Sequence, residues 1–245
     1  MKLLAIETSA RQLGVALLEE ERLLASYELL ADYPHAVELP EAVRRTLRAG
    51  GATLPQLDAI VVDIGPGSFT GLRIGLAFAK ALAFPSKKPL IGVASLDALA
   101  ANLPFASGLV CPLLDAKQRN VYLASYRVDG AAAVRQTDYL LGPAEELLAR
   151  VTEPAVFLGD GAGLYRDRIL AHCPHARFAE PELWLPRAAT LARLGRQRVL
   201  KGEQDDPARL VPMYLYPLDC SVRGPDRPTS VLPSGSAPAG FPQNK

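Results

Sequence analysis

Cysteine and histidine are both scarce in this chain, which has three of each among 245 residues. Cys111, Cys173 and Cys220 are widely spaced, which excludes a disulfide framework and fits a reducing compartment. The segment 172–175 (His-Cys-Pro-His) places three possible metal ligands together, but neighbouring side chains diverge and no second ligand pair lies at a usual spacing. We therefore interpret this segment as a solvated helix end and turn, and predict no metal site.

The remaining histidine, His35, also lacks a second metal ligand. A zinc-binding helix of the His-x-x-x-His kind would need histidine at position 39, which is Leu39. We therefore do not predict a metallopeptidase, because the side chains that would bind its metal are missing.

Long apolar runs and a strong net charge are missing as well. No apolar run reaches 18 residues and no basic, apolar leader begins at Met1, so we predict a soluble cytoplasmic protein without a membrane partner. The net charge is +1, whereas gripping nucleic acid alone needs clustered lysine and arginine. The apolar content of 49 % is enough for a sizeable core.

The most informative segment is the turn Gly65–Gly71 (Gly-Pro-Gly-Ser-Phe-Thr-Gly), between a predicted strand, 59–64, and a predicted helix, 72–84. A small-residue turn before a helix exposes backbone N–H groups at the positive end of the helix dipole, which favours an anion such as phosphate. The alternative is a tight strand-to-helix turn without a ligand. The candidate phosphate-binding residues here are Gly65, Gly67, Ser68, Thr70, Gly71 and Arg73.

Two of these residues carry further predictions. Ser68 or Thr70 is expected to cap the helix. Arg73 lies in the first helical turn, where the dipole disfavours a cation, so we expect it to face a nearby anion or carboxylate.

The sequence of this turn does not match three standard motifs. A Walker loop requires a lysine at its end, and no lysine lies between Thr70 and Arg73. The dinucleotide-binding fingerprint requires glycine at the position that Thr70 occupies. A nucleophile elbow needs glycine two residues after Ser68, which is again Thr70.

The second half of the chain repeats the pattern of the first. Val110 to Asp115, a polar turn and Val121 to Arg127 match the opening strand, turn and strand, which begin at Lys2. The segment 154–171 then repeats the strand, glycine-rich turn and helix. We therefore predict an α/β protein of two lobes with duplicated mixed-sheet subdomains. The predicted division is 1–103 for the first lobe, 104–220 for a reduced second lobe and 221–245 for a disordered Pro/Gly/Ser-rich tail.

An acid ends the first strand of each lobe, Glu7 in one and Asp115 in the other. Facing each other across a cleft, with Thr8 and Ser9 beside the first, these acids would suit a phosphate and its cation. The alternative is that each acid accepts hydrogen bonds from neighbouring backbone N–H groups.

Four segments together resemble the TsaB (YeaZ) family, over about residues 1 to 220. They are 4–9 (Leu-Ala-Ile-Glu-Thr-Ser), 65–75, 94–99 (Ala-Ser-Leu-Asp-Ala-Leu) and 114–122, of which 65–75 is the most specific. The resemblance implies the two-lobed actin/Hsp70/sugar-kinase-like (ASKHA) fold. The family usually has aspartate at position 7, and the longer Glu7 displaces the carboxylate from a geometry that needs close placement.

The resemblance also implies a function. It implies a non-catalytic accessory subunit that works with a TsaD-type transferase and a TsaE-type ATPase to form N6-threonylcarbamoyladenosine (t6A) at position 37 of tRNAs that read ANN codons. The chain would form a homodimer when alone, contact tRNA only through the complex, and need no cofactor itself, with ATP or ADP and Mg²⁺ at the complex interface. The alternative is an ATP-dependent phosphotransferase or ATPase of the same superfamily, with Glu7 and Asp115 on the metal.

Two predicted helices, 35–49 and 72–84, are expected to form the docking surface for the partner. The second is rich in glycine and alanine and apolar on more than one face, which indicates burial on two sides. The alternative is a helix enclosed within its own domain. The predicted interface residues are Val43, Leu47, Leu72, Leu76, Ala79 and Ala83.

Overall fold

The structure, a computed structural model, describes residues 1–30, 35–129 and 132–215. The predicted tail at 221–245 lies outside these residues. Within them, no helix is both long enough and apolar enough to cross a membrane.

The first sheet has five strands in the order β3-β2-β1-β4-β5. Hairpins join β1, β2 and β3 as antiparallel neighbours, whereas β4 and β5 run parallel to β1. Apolar residues fill β1 and β4 and are buried on both faces, as expected for the centre of a covered sheet. The strands are β1 (Lys2–Glu7), β2 (Gln12–Glu19), β3 (Arg22–Leu30), β4 (Ala59–Gly65) and β5 (Leu90–Ala94).

The second sheet repeats this order. Its path is β10-β7-β6-β11-β12, with β8 paired to β6 and β9 to β8, and β6, β11 and β12 are parallel. The predicted duplication of a mixed-sheet unit is therefore confirmed. The strands are β6 (Ser107–Asp115), β7 (Asn120–Leu123), β8 (Tyr126–Asp129), β9 (Ala133–Arg135), β10 (Leu140–Pro143), β11 (Ala155–Leu158) and β12 (Arg177–Phe178).

The strand predicted from Val121 to Arg127 is divided into β7 and β8. Both pair with β6 in one continuous register, in which Leu113 faces Leu123 and Val110 faces Tyr126. That register places Pro112 at the break, and proline has no N–H to donate to the ladder.

Helices cover both faces of the first sheet. α1 and α2 pack on one face, and α7 packs on the other. The helix predicted at 35–49 has those bounds, whereas α2 begins three residues before its predicted start, and the helix predicted up to Ala171 is split at Tyr165. The helices are α1 (His35–Ala49), α2 (Phe69–Ser86), α3 (Ser95–Ala100), α4 (Ala144–Leu148), α5 (Asp160–Leu164), α6 (Arg166–His172) and α7 (Ala188–Leu200).

The structure corrects the predicted division between the lobes. α7 lies in the part assigned to the second lobe, but its Leu191 and Ala192 join the core of the first sheet. The segment after α7 stays there as well, since Leu210 packs against the same lobe and the Met213 N–H donates to the Ile64 carbonyl at 2.6 Å. The physical reason is that the apolar second face of the first sheet would otherwise lie open to water.

Candidate functional site

The turn between β4 and α2 is held by its own hydrogen bonds. The Ser68 hydroxyl accepts from the Gly71 N–H at 3.2 Å, which confirms Ser68 as the helix cap. The Ser68 N–H donates to the Ser9 carbonyl at 2.7 Å, and the Leu72 N–H donates to the Ser68 carbonyl at 2.9 Å. These three N–H groups therefore have partners within the protein.

The glycines of the turn admit the β1–β2 turn of the same chain. A Cβ at Gly67 would lie 2.4 Å from the Ser9 carbonyl oxygen, and one at Gly71 would lie 2.0 Å from the Thr8 carbonyl oxygen. The Thr8 hydroxyl also donates to the Gly71 carbonyl at 2.9 Å. The close approach that the sequence assigned to a ligand is thus made by Thr8 and Ser9, which occupy the space beside Gly67 and Gly71. Thr70 is exposed beside them.

The first predicted acid, Glu7, is fully buried beside a second acid, Asp63. One Glu7 oxygen accepts from the Ser9 N–H at 2.7 Å and the Ser9 hydroxyl at 2.6 Å. One Asp63 oxygen accepts from the Gly65 N–H at 2.6 Å and the Ser95 hydroxyl at 2.7 Å. Sequence reasoning missed Asp63, although an acid inside the apolar run of β4 was a signal available to it.

The two carboxyl groups influence each other's protonation. The second oxygens, Oε2 of Glu7 and Oδ2 of Asp63, are buried with no hydrogen-bond partner among the described residues. Burial raises the pKa of both groups, and the charge of Asp63 raises the pKa of Glu7 further. We therefore expect the pair to keep one proton, on Glu7, and the stability measurements described in the Discussion test this expectation. Enclosure and a raised pKa do not favour Mg²⁺ at Glu7, because Mg²⁺ binds ionised carboxylates.

The second predicted acid, Asp115, is engaged within its own lobe. Its side chain accepts from the Lys117 N–H at 3.0 Å and pairs with the Lys117 ammonium at 2.6 Å. The Asp115 N–H donates to Asp160 at 3.0 Å, and burial raises the pKa of Asp160. The structure thus joins Glu7 to Asp63 and Asp115 to Lys117, and both acids accept hydrogen bonds from neighbouring backbone N–H groups.

Arg73 faces aromatic rings rather than the predicted anion. Its guanidinium carbon lies 3.9 Å from the centroid of the Phe69 ring, and its Nε donates to the Tyr214 hydroxyl at 3.0 Å. The two rings lie 5.4 Å apart. This correction has a physical reason, because the negative face of an aromatic ring attracts a cation and offsets the unfavourable dipole.

The predicted interface residues face the interior of the first lobe. Five of the six are no more than 5 % exposed, and Leu47 is partly buried against the same core. The structure corrects this prediction, since side chains inside the core cannot contact a partner. The side of α2 that faces solvent is a different stripe, which we call the α2 face: Phe69, Arg73, Ala77, Ala81 and Phe84.

Two of the three histidines, His35 and His172, have local partners. His35 lies 2.9 Å from the Ala10 carbonyl, and His172, at the end of α6, lies 2.9 Å from Glu145. Among the described residues, no three His, Cys, Asp or Glu side chains are placed to hold a metal ion together.

Known proteins similar to this chain share its fold and its sequence. Residues 29–216 match the family model described as TsaD, tRNA N6-adenosine threonylcarbamoyltransferase. The chain is 35 % identical over 219 residues to the tRNA threonylcarbamoyladenosine biosynthesis protein TsaB of Bacillus subtilis strain 168, covering 88 % of this chain and 94 % of that protein. YeaZ from Pseudomonas aeruginosa superposes with a TM-score of 0.77 at 30 % identity, covering 87 % of this chain and 99 % of the other.

A more distant structure supports the fold class alone. The ROK hexokinase from Thermus thermophilus superposes with a TM-score of 0.50 at 16 % identity, over 82 % of this chain and 100 % of the other. The fold is thus the two-lobed actin/Hsp70/sugar-kinase-like fold that the family resemblance implied, with the two lobes that the duplicated pattern predicted. This fold, together with the sequence identity to TsaB and YeaZ over most of the chain, shows that this chain belongs to the TsaB (YeaZ) family.

Proposed function

We propose that this chain is a non-catalytic, cytoplasmic subunit that supports a TsaD-type transferase in forming t6A at position 37 of tRNAs that read ANN codons. Its Bacillus subtilis relative is named a tRNA threonylcarbamoyladenosine biosynthesis protein. The observation that carries the non-catalytic part is the closed pair of Glu7 and Asp63. A phosphotransferase would need ionised, accessible acids beside an open phosphate site, whereas this pair is fully buried and burial raises the pKa of Glu7.

The α2 face is the surface that we propose for docking the TsaD-type partner. Phe69 and Phe84 are 54 % and 59 % exposed at its two ends, and Ala77 and Ala81 between them permit close approach of another helix. Because the chain itself matches the TsaD family model, such a partner would carry a similar fold and a similar pair of helices. Two related faces can pair about a pseudo-twofold axis, and two copies of this chain would use the same face as a homodimer.

In this proposal, the nucleotide does not bind in the turn after β4. The turn after β4 is filled by Thr8 and Ser9, so this chain would need no cofactor of its own. ATP or ADP with Mg²⁺ would instead act at the interface of the complex, with a TsaE-type ATPase as a further subunit, and tRNA would be bound through the assembly.

Reconstitution tests the function directly. We expect t6A formation by the TsaD-type and TsaE-type proteins to be lost when this chain is omitted and restored when it is added, as measured by mass spectrometry of nucleosides from the tRNA. The chain alone, with ATP and Mg²⁺, should turn over far more slowly than about 1 s⁻¹, the low end of ordinary enzymatic rates. Full t6A formation without the chain, or rapid turnover by it alone, would overturn the proposal.

A variant of the α2 face tests the docking surface. Ala77→Glu places a charge in the middle of this face, and glutamate is a good helix former, so the fold should be retained. We expect the affinity for the TsaD-type partner to fall about tenfold or more, because the charge would be buried without a partner. Isothermal titration calorimetry measures this effect. Val134→Glu on β9, where valine is 58 % exposed in the second lobe, is the matched control. Equal affinities of the two variants would contradict the assignment.

A further inference from the structure

A cavity of about 430 Å³ opens beside the first half of α7. Its walls come from β3, the end of α3, the turn at 181–183 and α7 itself. Neither the Gly65–Gly71 turn nor Glu7 or Asp115 lines it, so it is separate from the site described above. We call it the α7 pocket; its polar lining residues are Ser26, Glu28, Asn102, Arg187, Thr190 and Arg193.

The arginines of α7 and its start divide into two pairs with different surroundings. Arg196 pairs with Glu20 at 3.3 Å, and Arg198 pairs with Asp205 at 2.9 Å, so both are committed to the protein's own acids. The other pair, Arg187 and Arg193, lines the α7 pocket.

The pocket arginines keep most of their donors available. Arg187 donates one long hydrogen bond, at 3.3 Å, to the Glu182 carbonyl, and Arg193 has neither an ion pair nor a hydrogen bond within the described part of the chain. Each guanidinium has five N–H donors in a planar fork, which matches phosphate oxygens.

Hydrogen bonds hold together the wall behind these arginines. The Thr190 hydroxyl donates to the Asn102 side chain at 2.8 Å, and the Asn102 amide donates to the carbonyls of Leu183 and Leu185 at 3.1 and 3.0 Å. α7 begins at Ala188, so the positive end of its dipole also points toward this region. Glu28 is the one acid in the lining, which leaves two cations against one anion.

The composition of the lining favours a phosphate over a base. None of the lining residues is aromatic, so the pocket offers no ring on which a base could stack. Contacts to phosphate come from arginine, hydroxyl groups and helix N-termini, which are the groups present here. With two cations and a near-neutral chain, such a contact would be weak alone and would need other contacts in a larger assembly.

We propose that the α7 pocket binds backbone phosphates of the tRNA. The inference rests on the proposed function, because it takes the tRNA substrate of that complex as the source of the phosphate. Arg187 and Arg193 would hold the tRNA at a position separate from the α2 face, so that the subunit contributes substrate contacts as well as support for its partner.

The test compares two double variants in the complete complex. Arg187→Glu/Arg193→Glu reverses the charges of the pocket. Arg177→Glu/Lys201→Glu makes the same change at exposed residues on β12 and after α7. Fluorescence anisotropy measures the affinity for tRNA over a range of salt concentrations, and the t6A assay gives KM for tRNA and kcat.

We expect the pocket variant to weaken tRNA binding about tenfold and to reduce the slope of log affinity against log salt by about 1 to 2, as for the loss of one or two phosphate contacts. KM for tRNA should rise while kcat stays unchanged, and the control should behave like the wild type. Should the pocket variant fold poorly, Arg187→Ala/Arg193→Ala gives the same readout with a smaller effect.

Two results would overturn the inference: unchanged tRNA affinity and salt slope in the pocket variant, or weakened binding of ATP with unchanged binding of tRNA, which would identify a nucleotide site. Failure of the proposed function is distinguishable, because it appears as normal t6A formation in the complete absence of this chain.

Discussion

Replacing Gly71 by alanine is expected to lower the free energy of unfolding by about 3 kcal/mol or more, as an overpacked site with no room to relax. In an ordinary helix the same change would stabilise by about 1 kcal/mol, because alanine is the better helix former. Here the new Cβ would lie 2.0 Å from the Thr8 carbonyl oxygen, which is backbone and cannot turn aside. Urea unfolding followed by circular dichroism measures the change.

A comparison of substitutions at Gly71 and at Gly75, one helical turn later, distinguishes a clash with a backbone atom from a clash with a side-chain atom. A Cβ at Gly75 would lie 2.1 Å from the Thr8 hydroxyl oxygen, a side-chain atom. We therefore expect Thr8→Ala to recover much of the stability lost in Gly75→Ala and little of that lost in Gly71→Ala.

Gly142→Ala is the control for the glycine series, since its nearest neighbouring atom would be at 3.6 Å, an ordinary contact. A Gly71→Ala protein as stable as this control would show that the β1–β2 turn does not fill the space beside α2.

The pair of buried carboxyl groups predicts a second large effect. Glu7→Ala should lower the free energy of unfolding by about 3–5 kcal/mol, because it leaves a cavity and deprives the fully buried Asp63 carboxyl of its neighbour. Glu7→Gln should be tolerated, since an amide N–H can replace the shared proton and donate to Asp63. Equal stabilities of these two variants would argue against a proton shared by the pair.

The same pair predicts how stability depends on pH. A carboxyl group whose pKa is raised by folding stabilises the native state below its unfolded pKa, and that contribution is lost as the pH rises toward the folded value. The pKa of Glu7 is raised well above its ordinary value of 4.5, and that of Asp63 is raised as well. Above this ordinary value, the unfolded chain releases protons that the folded pair retains, so the free energy of unfolding should fall with rising pH.

Glu7→Gln should remove the part of this slope that Glu7 contributes. Urea unfolding of both proteins from about pH 5 to about pH 8 should therefore show the variant gaining stability relative to the wild type as the pH rises. A difference between the two proteins that does not change with pH would contradict the assignment of the proton to Glu7.

Much of the fold could be predicted from local patterns. The strand Lys2–Glu7 and the helix His35–Ala49 have the bounds that the sequence predicted. Apolar runs and glycine stops fix such elements because they act over neighbouring residues. The duplicated order of elements predicted the two sheets for the same reason.

The candidate site was predicted less well. Asp63 was missed because its importance comes from lying beside Glu7 on the neighbouring strand. This contact joins residues far apart in the chain, and no local sequence pattern indicates it. The predicted interface failed in a similar way: a helix that is apolar all round, such as α2, does not reveal which stripe faces its own sheet. Arg73 was assigned an anion because Tyr214, its partner, lies 141 residues further along the chain.

By itself, then, the sequence determined the elements, their duplication and the family, since these follow from periodicity, turn residues and motifs of neighbouring residues. Only the tertiary structure decided that α7 returns to the first sheet, that the glycines admit Thr8 and Ser9, and that burial beside Asp63 raises the pKa of Glu7. Each of these depends on contacts between residues far apart in the chain, and it is burial by distant segments that sets the space around a backbone and the charge of a carboxyl group.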